Sequence, residues 1–256
     1  MLLPQTNVRG KSPITPTPIV MKTLKCILAA GSLLAALSPS FASVEVQAAS
    51  RAETWFNQYY QNPRPDDLLA SVHQLSARGF FEQPGNTATA IGFFTEVFAT
   101  HPQRVRQWLD QTASLPEAHR RILAAAAWQA GHPKGLELMR TFSVNDDKVV
   151  QIQVADLLRR GPAPVGDTVV VSESSLRLQW GAFLASGNDR HVVAMLNALG
   201  TNERDLTLAV RYAIAQNAAS HRKVLDICRA QLDRQPEAVR SEIRAALKDV
   251  PAGPRA

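Results

Sequence analysis

The chain has 256 residues, of which 45% are apolar, so it is long enough for one sizeable hydrophobic core. Two cysteines are too few for a disulfide-stabilised scaffold. The formal net charge of +6 falls to +2 without residues 1–42, because these hold four basic side chains and no acidic one and leave 24 basic against 22 acidic residues. A charge this small gives no support to nucleic acid as a partner.

A predicted export signal occupies residues 21–42. A short basic segment, Met21–Lys25, precedes an apolar run of 12 residues, Cys26–Leu37, and small residues follow. We expect cleavage between Ala42 and Ser43. Because the apolar run is shorter than the roughly 20 residues that cross a bilayer, we expect no transmembrane anchor after processing.

Residues 1–20 lie upstream of this complete signal and show neither a helical nor a strand pattern. We interpret them as a misassigned start or a disordered extension. At the other end, the proline- and glycine-containing residues 251–256 are predicted to form a disordered tail.

The densest aromatic cluster of the chain lies in the first predicted helix after the signal, from Ala49 to Gln61. Trp55, Tyr59 and Tyr60 belong to it. An N-terminal helix needs large side chains to dock it, so packing is the favoured interpretation of these rings. If the chain binds a partner, the exposed members of this set are the candidate binding residues.

A helix pair from Ile91 to Leu109 sets the pattern for the rest of the chain. Apolar residues recur at spacings of three and four on both sides of a short polar break. Pro102 in that break suits the first turn of a second helix. Two helices joined so closely are predicted to pack antiparallel.

Similar breaks recur along the chain, at separations that vary from about 15 to about 55 residues, whereas regular repeat proteins keep a fixed period. The sequence therefore predicts an all-α fold, an irregular, degenerate repeat-like array of antiparallel helix hairpins. The glycine- and proline-rich stretch after residue 160 divides it into two predicted lobes, 43–160 and 173–250, joined by a loop at 161–172.

The motifs of common catalytic and metal sites are absent from the sequence. It contains no G-x-S-x-G, no phosphate-binding glycine loop, no C-x-x-C and no pair of histidines at metal-binding helical spacing. We therefore expect no catalytic residue, no metal ligand and no cofactor. Arg190 and His191, with chemically varied neighbours, form a weaker alternative polar site between the predicted lobes.

Three segments carry a resemblance to known proteins: residues 62–75, 92–109 (GFFTEVFATHPQRVRQWL) and 217–228 (NAASHRKVLDIC). Together they resemble a family of exported, uncharacterised all-helical proteins from Proteobacteria. That resemblance implies export and helices, but no activity. A looser similarity to tetratricopeptide-like hairpins rests on the helix-turn-helix arrangement alone, since the tetratricopeptide residue pattern is absent.

These observations favour an exported soluble protein that acts as a protein–protein interaction or scaffold module of the cell envelope. Its expected partner is another protein, and its expected location is the periplasm rather than the extracellular medium. Two alternatives remain open at this point. One is an enzyme with its active site between the lobes, near Arg190 and His191, and the other is a secreted factor directed at a host.

Overall fold

The computed structural model describes residues 51–144, 146–201, 203–248 and Val250. All regular structure among them is helical, with twelve α-helices and no strand, which confirms the predicted all-α fold. The predicted signal peptide, its cleavage site at Ala42 and Ser43, and the tail at 251–256 lie outside the described residues.

Seven α-helices precede the glycine- and proline-rich break, and five follow it. The first seven are α1 (51–58), α2 (Leu68–Ala77), α3 (Asn86–Thr100), α4 (Pro102–Gln111), α5 (Glu117–Gln129), α6 (Pro133–Ser143) and α7 (Lys148–Arg160). The last five are α8 (Glu173–Ser186), α9 (Asp189–Asn197), α10 (Arg204–Ser220), α11 (Arg222–Gln231) and α12 (Glu237–Lys248). Short 3-10 turns lie between some of them, at Tyr59–Gln61, Pro65–Asp67, Val165–Asp167 and Ala198–Gly200.

Local sequence signals explain several of these helix boundaries. Pro102 is the first residue of α4, where its missing N–H costs no helical hydrogen bond. The Asp147 carboxylate accepts hydrogen bonds from two backbone N–H groups in the first turn of α7. Ser172 and Ser175 form a capping box at the start of α8.

Two clusters of buried side chains make up the core. The first is built mainly from the aromatic and aliphatic residues of α1 to α5, and the second from those of α9 to α12. Helix α8 contributes to both, because Leu184 belongs to the first cluster and Leu176 and Phe183 to the second. The partly buried Trp180 contacts both clusters.

Helices α3 and α8 make the most extensive helix–helix contact of the described chain. Two glycines allow their backbones to touch. A Cβ atom on Gly92 would collide with the carbonyl oxygen of Leu178, and one on Gly181 would collide with the carbonyl oxygen of Thr89. The predicted lobes at 43–160 and 173–250, and the repeat-like character of the array, stay predictions.

Helix α7 is packed less tightly than its neighbours. None of its described side chains is buried, and its main contact is with α6. Val149 and Ile152 are 64% and 68% exposed. Because α7 also has half-buried apolar residues at Val150, Val154 and Leu158, it is apolar on more than one face. One of these apolar faces has no neighbour within the described chain.

Candidate functional site

A groove of about 450 Å³ opens between α3, α5, α6 and α7. Its volume falls within the range of roughly 300–1,000 Å³ that ligand sites occupy. The floor and walls are apolar, and they come from all four helices: Ile91, Ile122, Ala125, Met139, Phe142 and Val154. Because α7 packs loosely, these side chains line an open surface.

His119 lies at one side of the groove and is held from both ring nitrogens. Its Nδ1 is 2.7 Å from Ser76 Oγ, and its Nε2 is 2.5 Å from Glu82 Oε1. In the neutral imidazole that donates Nε2–H to the Glu82 carboxylate, Nδ1 accepts from the Ser76 hydroxyl. Ser76 is buried and does not line the groove, so this connectivity orients the imidazole and offers no accessible nucleophile.

Arg121 lies at the other side, where it ties α5 to the chain just before α7. Its guanidinium donates to both carboxylate oxygens of Asp146 at 2.8 and 2.9 Å, to Glu117, and to the backbone carbonyl of Phe142. The hydrogen bonds from Arg121 lower the pKa of Asp146. The carboxylate therefore stays ionised at neutral pH and keeps this wall in place.

The rim of the groove is acidic. The carboxylates of Glu82 and Asp146 line it, and the Arg121 guanidinium is paired with Asp146 as well as with Glu117, which does not line the groove. Glu82 is 58% exposed at its side chain, so it faces solvent as well as His119. An apolar floor with an acidic rim suits a ligand that has apolar groups and a positive charge.

The aromatic residues proposed from the sequence lie mostly inside the core. Trp55 and Tyr59 are buried, and Trp55 Nε1 donates to the backbone carbonyl of Arg64 at 3.1 Å. Both rings meet Phe93 of α3 edge to face, which docks α1 on the first cluster. Of the three candidates only Tyr60 is partly exposed, so they do not form a surface platform.

Arg190 and His191 belong to a polar network between α3, α8 and α9. His191 is fully buried, and its Nδ1 is 2.7 Å from Gln179 Oε1. The amide nitrogen of Gln179 donates to the backbone carbonyls of Val165 and Thr168, both at 2.7 Å. The network thus fastens the segment before α8 to the core, and the imidazole has no face open to a substrate.

Glu96 of α3 completes this network from the opposite side. Its carboxylate accepts from Arg190 at 2.8 Å and lies 3.6 Å from His191 Nε2. Burial raises the pKa of Glu96, but hydrogen bonding and charge from His191 and Arg190 outweigh that effect and lower it. The geometry favours a structural ion pair over an acid–base site.

The sequence did not reveal the partners in either polar cluster. Glu96 and Arg190 are 94 positions apart, and Ser76 and His119 are 43 apart, so no local spacing connects them. Nor did it reveal the groove, because Ile122 and Met139 have the helical spacing that is also typical of core residues.

Within the described ranges, no group of three or more His, Cys, Asp or Glu side chains is placed to hold a metal ion. None of the described helices is both long and apolar enough to span a bilayer. Cys228 is buried, which raises the pKa of its thiol to about 12 and makes it unreactive. Comparisons with family models, with curated proteins and with solved structures gave no match for this chain.

Proposed function

We propose that the chain is a protein-binding module of the cell envelope, and that the groove between α3, α5, α6 and α7 binds an apolar segment of a partner protein flanked by basic residues. The observation that carries this proposal is the combination of an apolar floor of about 450 Å³ with an acidic rim. It is the kind of surface in which an amphipathic helix inserts side chains at spacings of three and four.

The adjacent helix α7 supports a protein as the occupant. Val154 of α7 lines the groove, while Val149 and Ile152 on the same helix are largely exposed. At about 100° per residue these two side chains lie on the face of α7 opposite Val154. A ligand confined to the groove therefore leaves them in water, whereas a partner protein that also extends around α7 is able to cover them. Because Asp146 is already paired with Arg121, the exposed Glu82 carboxylate supplies the attraction at the rim, so basic residues on that segment accelerate its association and fix its orientation.

The location in the envelope rests on the predicted signal at residues 21–42. Expression of the full chain in a bacterial host, fractionation and mass determination test it directly. A periplasmic product that begins at Ser43 supports the proposal, and a cytoplasmic product that retains residues 21–42 contradicts it. Release of the processed chain into the medium would favour the alternative of a secreted, host-directed factor.

Two synthetic peptides test the groove. In one, leucines at helical spacing alternate with lysines, and in its twin every lysine is replaced by glutamate. We expect the basic peptide to bind the full chain saturably in calorimetry, with an affinity that falls as salt rises. The acidic twin should bind at least about tenfold more weakly, a difference of ~1.4 kcal/mol.

A pair of variants on α6 locates the binding. Met139→Lys puts an ammonium group on the apolar floor of the groove, whereas Thr141→Lys adds the same charge at an exposed position that does not line it. We expect Met139→Lys to lower the affinity for the basic peptide by at least about tenfold and Thr141→Lys to have little effect on it. Equal effects of the two variants, or equal binding of both peptides, would contradict the proposal.

A further inference from the structure

A second cleft, of about 320 Å³, lies between α1, α3, α8 and the loop before α3. Its lining differs in character from that of the first groove. Aromatic side chains of Phe56, Phe80 and Trp180 form its apolar part. Around them stand side chains with amide, carboxylate and guanidinium groups, namely Glu53, Asn57, Gln83, Asn86 and Arg177.

The rings of the aromatic part pack against other aromatic rings. Trp180 stacks on Phe183 with ring centroids 5.2 Å apart and an angle of 21° between the rings, and it meets His221 edge to face. Phe80 meets Phe56 edge to face at 5.2 Å. Since Trp180 and Phe80 are both only partly buried, they present apolar ring surface to the cleft.

The polar part of the cleft has both hydrogen-bond donors and hydrogen-bond acceptors. Asn57 and Gln83 are exposed carboxamides, each with two N–H donors and a carbonyl acceptor. The side chain of Asn86 donates to the Phe80 carbonyl at 2.9 Å and to Gln83 Oε1 at 3.2 Å. The Gln83 carboxamide is thereby oriented with its N–H groups still available to a ligand.

The cleft shows little preference for an anion. The Arg177 guanidinium donates two hydrogen bonds to the Glu173 carboxylate, from Nε at 2.9 Å and from a terminal nitrogen at 2.5 Å. Its positive charge is therefore already balanced. The Glu53 carboxylate is exposed, where it is able to accept hydrogen bonds from hydroxyl groups. A phosphate or a free carboxylate would meet this acidic group without an unpaired cation to compensate.

We propose that this cleft binds a neutral saccharide. A sugar ring has a face of C–H groups, which suits the packed rings of Trp180 and Phe80. Its hydroxyl groups both donate and accept hydrogen bonds, which suits the carboxamide groups of Asn57 and Gln83. The volume lies near the lower end of the range for ligand pockets, as a mono- or disaccharide requires. This site is separate from the peptide groove and does not depend on the function proposed for it.

Saturation-transfer NMR on the full chain tests the proposal with glucose, N-acetylglucosamine and maltose as probes, and with glucose 6-phosphate as a charged comparator. The double variant Asn57→Ala with Gln83→Ala removes the exposed carboxamides. Gln58→Ala is the matched control, because it is an exposed carboxamide next to Asn57 on α1 that does not line the cleft.

We expect at least one neutral probe to bind saturably. The double variant should bind that probe with about tenfold lower affinity, because two hydrogen bonds to the ligand are lost. The Gln58→Ala control should bind as the parent chain does. The proposal is overturned if none of the three neutral sugars binds, if the double variant binds as well as the control, or if glucose 6-phosphate binds more tightly than glucose.

Discussion

Tyr59 and Tyr60 are neighbours in sequence, but their hydroxyl groups have opposite surroundings. The Tyr59 hydroxyl is buried without a hydrogen-bond partner among the described residues, and burial raises its pKa while the charge of Arg104 opposes that shift. The Tyr60 hydroxyl lies 3.2 Å from His221 Nδ1 and accepts from Gln61 Nε2 at 3.1 Å.

Replacing each tyrosine with phenylalanine should therefore have different effects. Tyr59→Phe removes an unsatisfied buried hydroxyl, so we expect the free energy of unfolding to stay unchanged or to rise by up to about 1 kcal/mol. Tyr60→Phe removes two contacts and should lower it by about 1 kcal/mol. Urea denaturation measures both. A loss above about 1 kcal/mol in Tyr59→Phe would mean that its hydroxyl has a partner after all.

Glu96 makes the stability depend on pH in a defined direction. Because its pKa is lowered on folding from an ordinary value of 4.5, its ionised form stabilises the native state. That contribution is complete above the ordinary value. The contribution is lost as the pH falls through the lowered pKa of the folded state.

We therefore expect Glu96→Gln to destabilise the chain more at pH 7 than at pH 3. Urea denaturation of the variant and the parent chain at both values measures the difference. Glu53→Gln, which changes an exposed carboxylate on α1, is the control and should show little dependence on pH. A Glu96→Gln effect that is as large in acid as at neutral pH would contradict the assigned role.

At the scale of the helices, the crossing of α3 and α8 depends on its glycines. In an exposed helix a Gly→Ala change is stabilising by about 1 kcal/mol. At Gly181 the added methyl group would instead meet the carbonyl oxygen of Thr89, a backbone atom that is not free to rotate away. The helices would have to separate, and the contact between the two core clusters would loosen.

We expect Gly181→Ala to lower the free energy of unfolding by roughly 1–3 kcal/mol, as overpacking does. Gly131→Ala is a useful comparison, because nothing lies within 4 Å of its Cβ position and the cost comes only from its φ of +77°. That backbone cost is roughly 1–2 kcal/mol. A stabilised Gly181→Ala variant, measured by thermal unfolding, would show that α3 and α8 do not touch in this way.

Helix boundaries were largely predictable, because they depend on local chemistry. The break at Pro102 and the break after residue 160 are both where the sequence placed them. How each helix is placed relative to the core was harder to predict from the sequence. In α7, for example, the sequence gave no sign that Val149 and Ile152 remain exposed.

At the scale of the whole molecule, the groove is a product of assembly. Ile91, Ile122 and Met139 belong to three different helices. In each helix the spacing of the apolar residues is equally consistent with a closed core. The acidic rim also joins positions that are distant in sequence, such as Glu82 and Asp146. Because these distances are set by tertiary packing, sequence patterns predicted the all-α class, which the structure confirms, but not the groove. The interaction role stays a prediction.

The function proposed for the groove between α3, α5, α6 and α7 is to receive the apolar side of a basic peptide segment. Methionine methyl NMR tests it most directly, since the sequence has four methionines and two of them lie in the described chain. Met139 lines the groove, whereas Met195 is buried in the second cluster and serves as an internal control.

Titration of the methyl-labelled chain with the leucine–lysine peptide should shift the Met139 signal saturably and leave Met195 unchanged. Contacts from the Met139 methyl to the leucine methyls of the peptide should then appear in nuclear Overhauser spectra. A peptide that binds without shifting Met139, or that shifts Met195 equally, would contradict the proposed site.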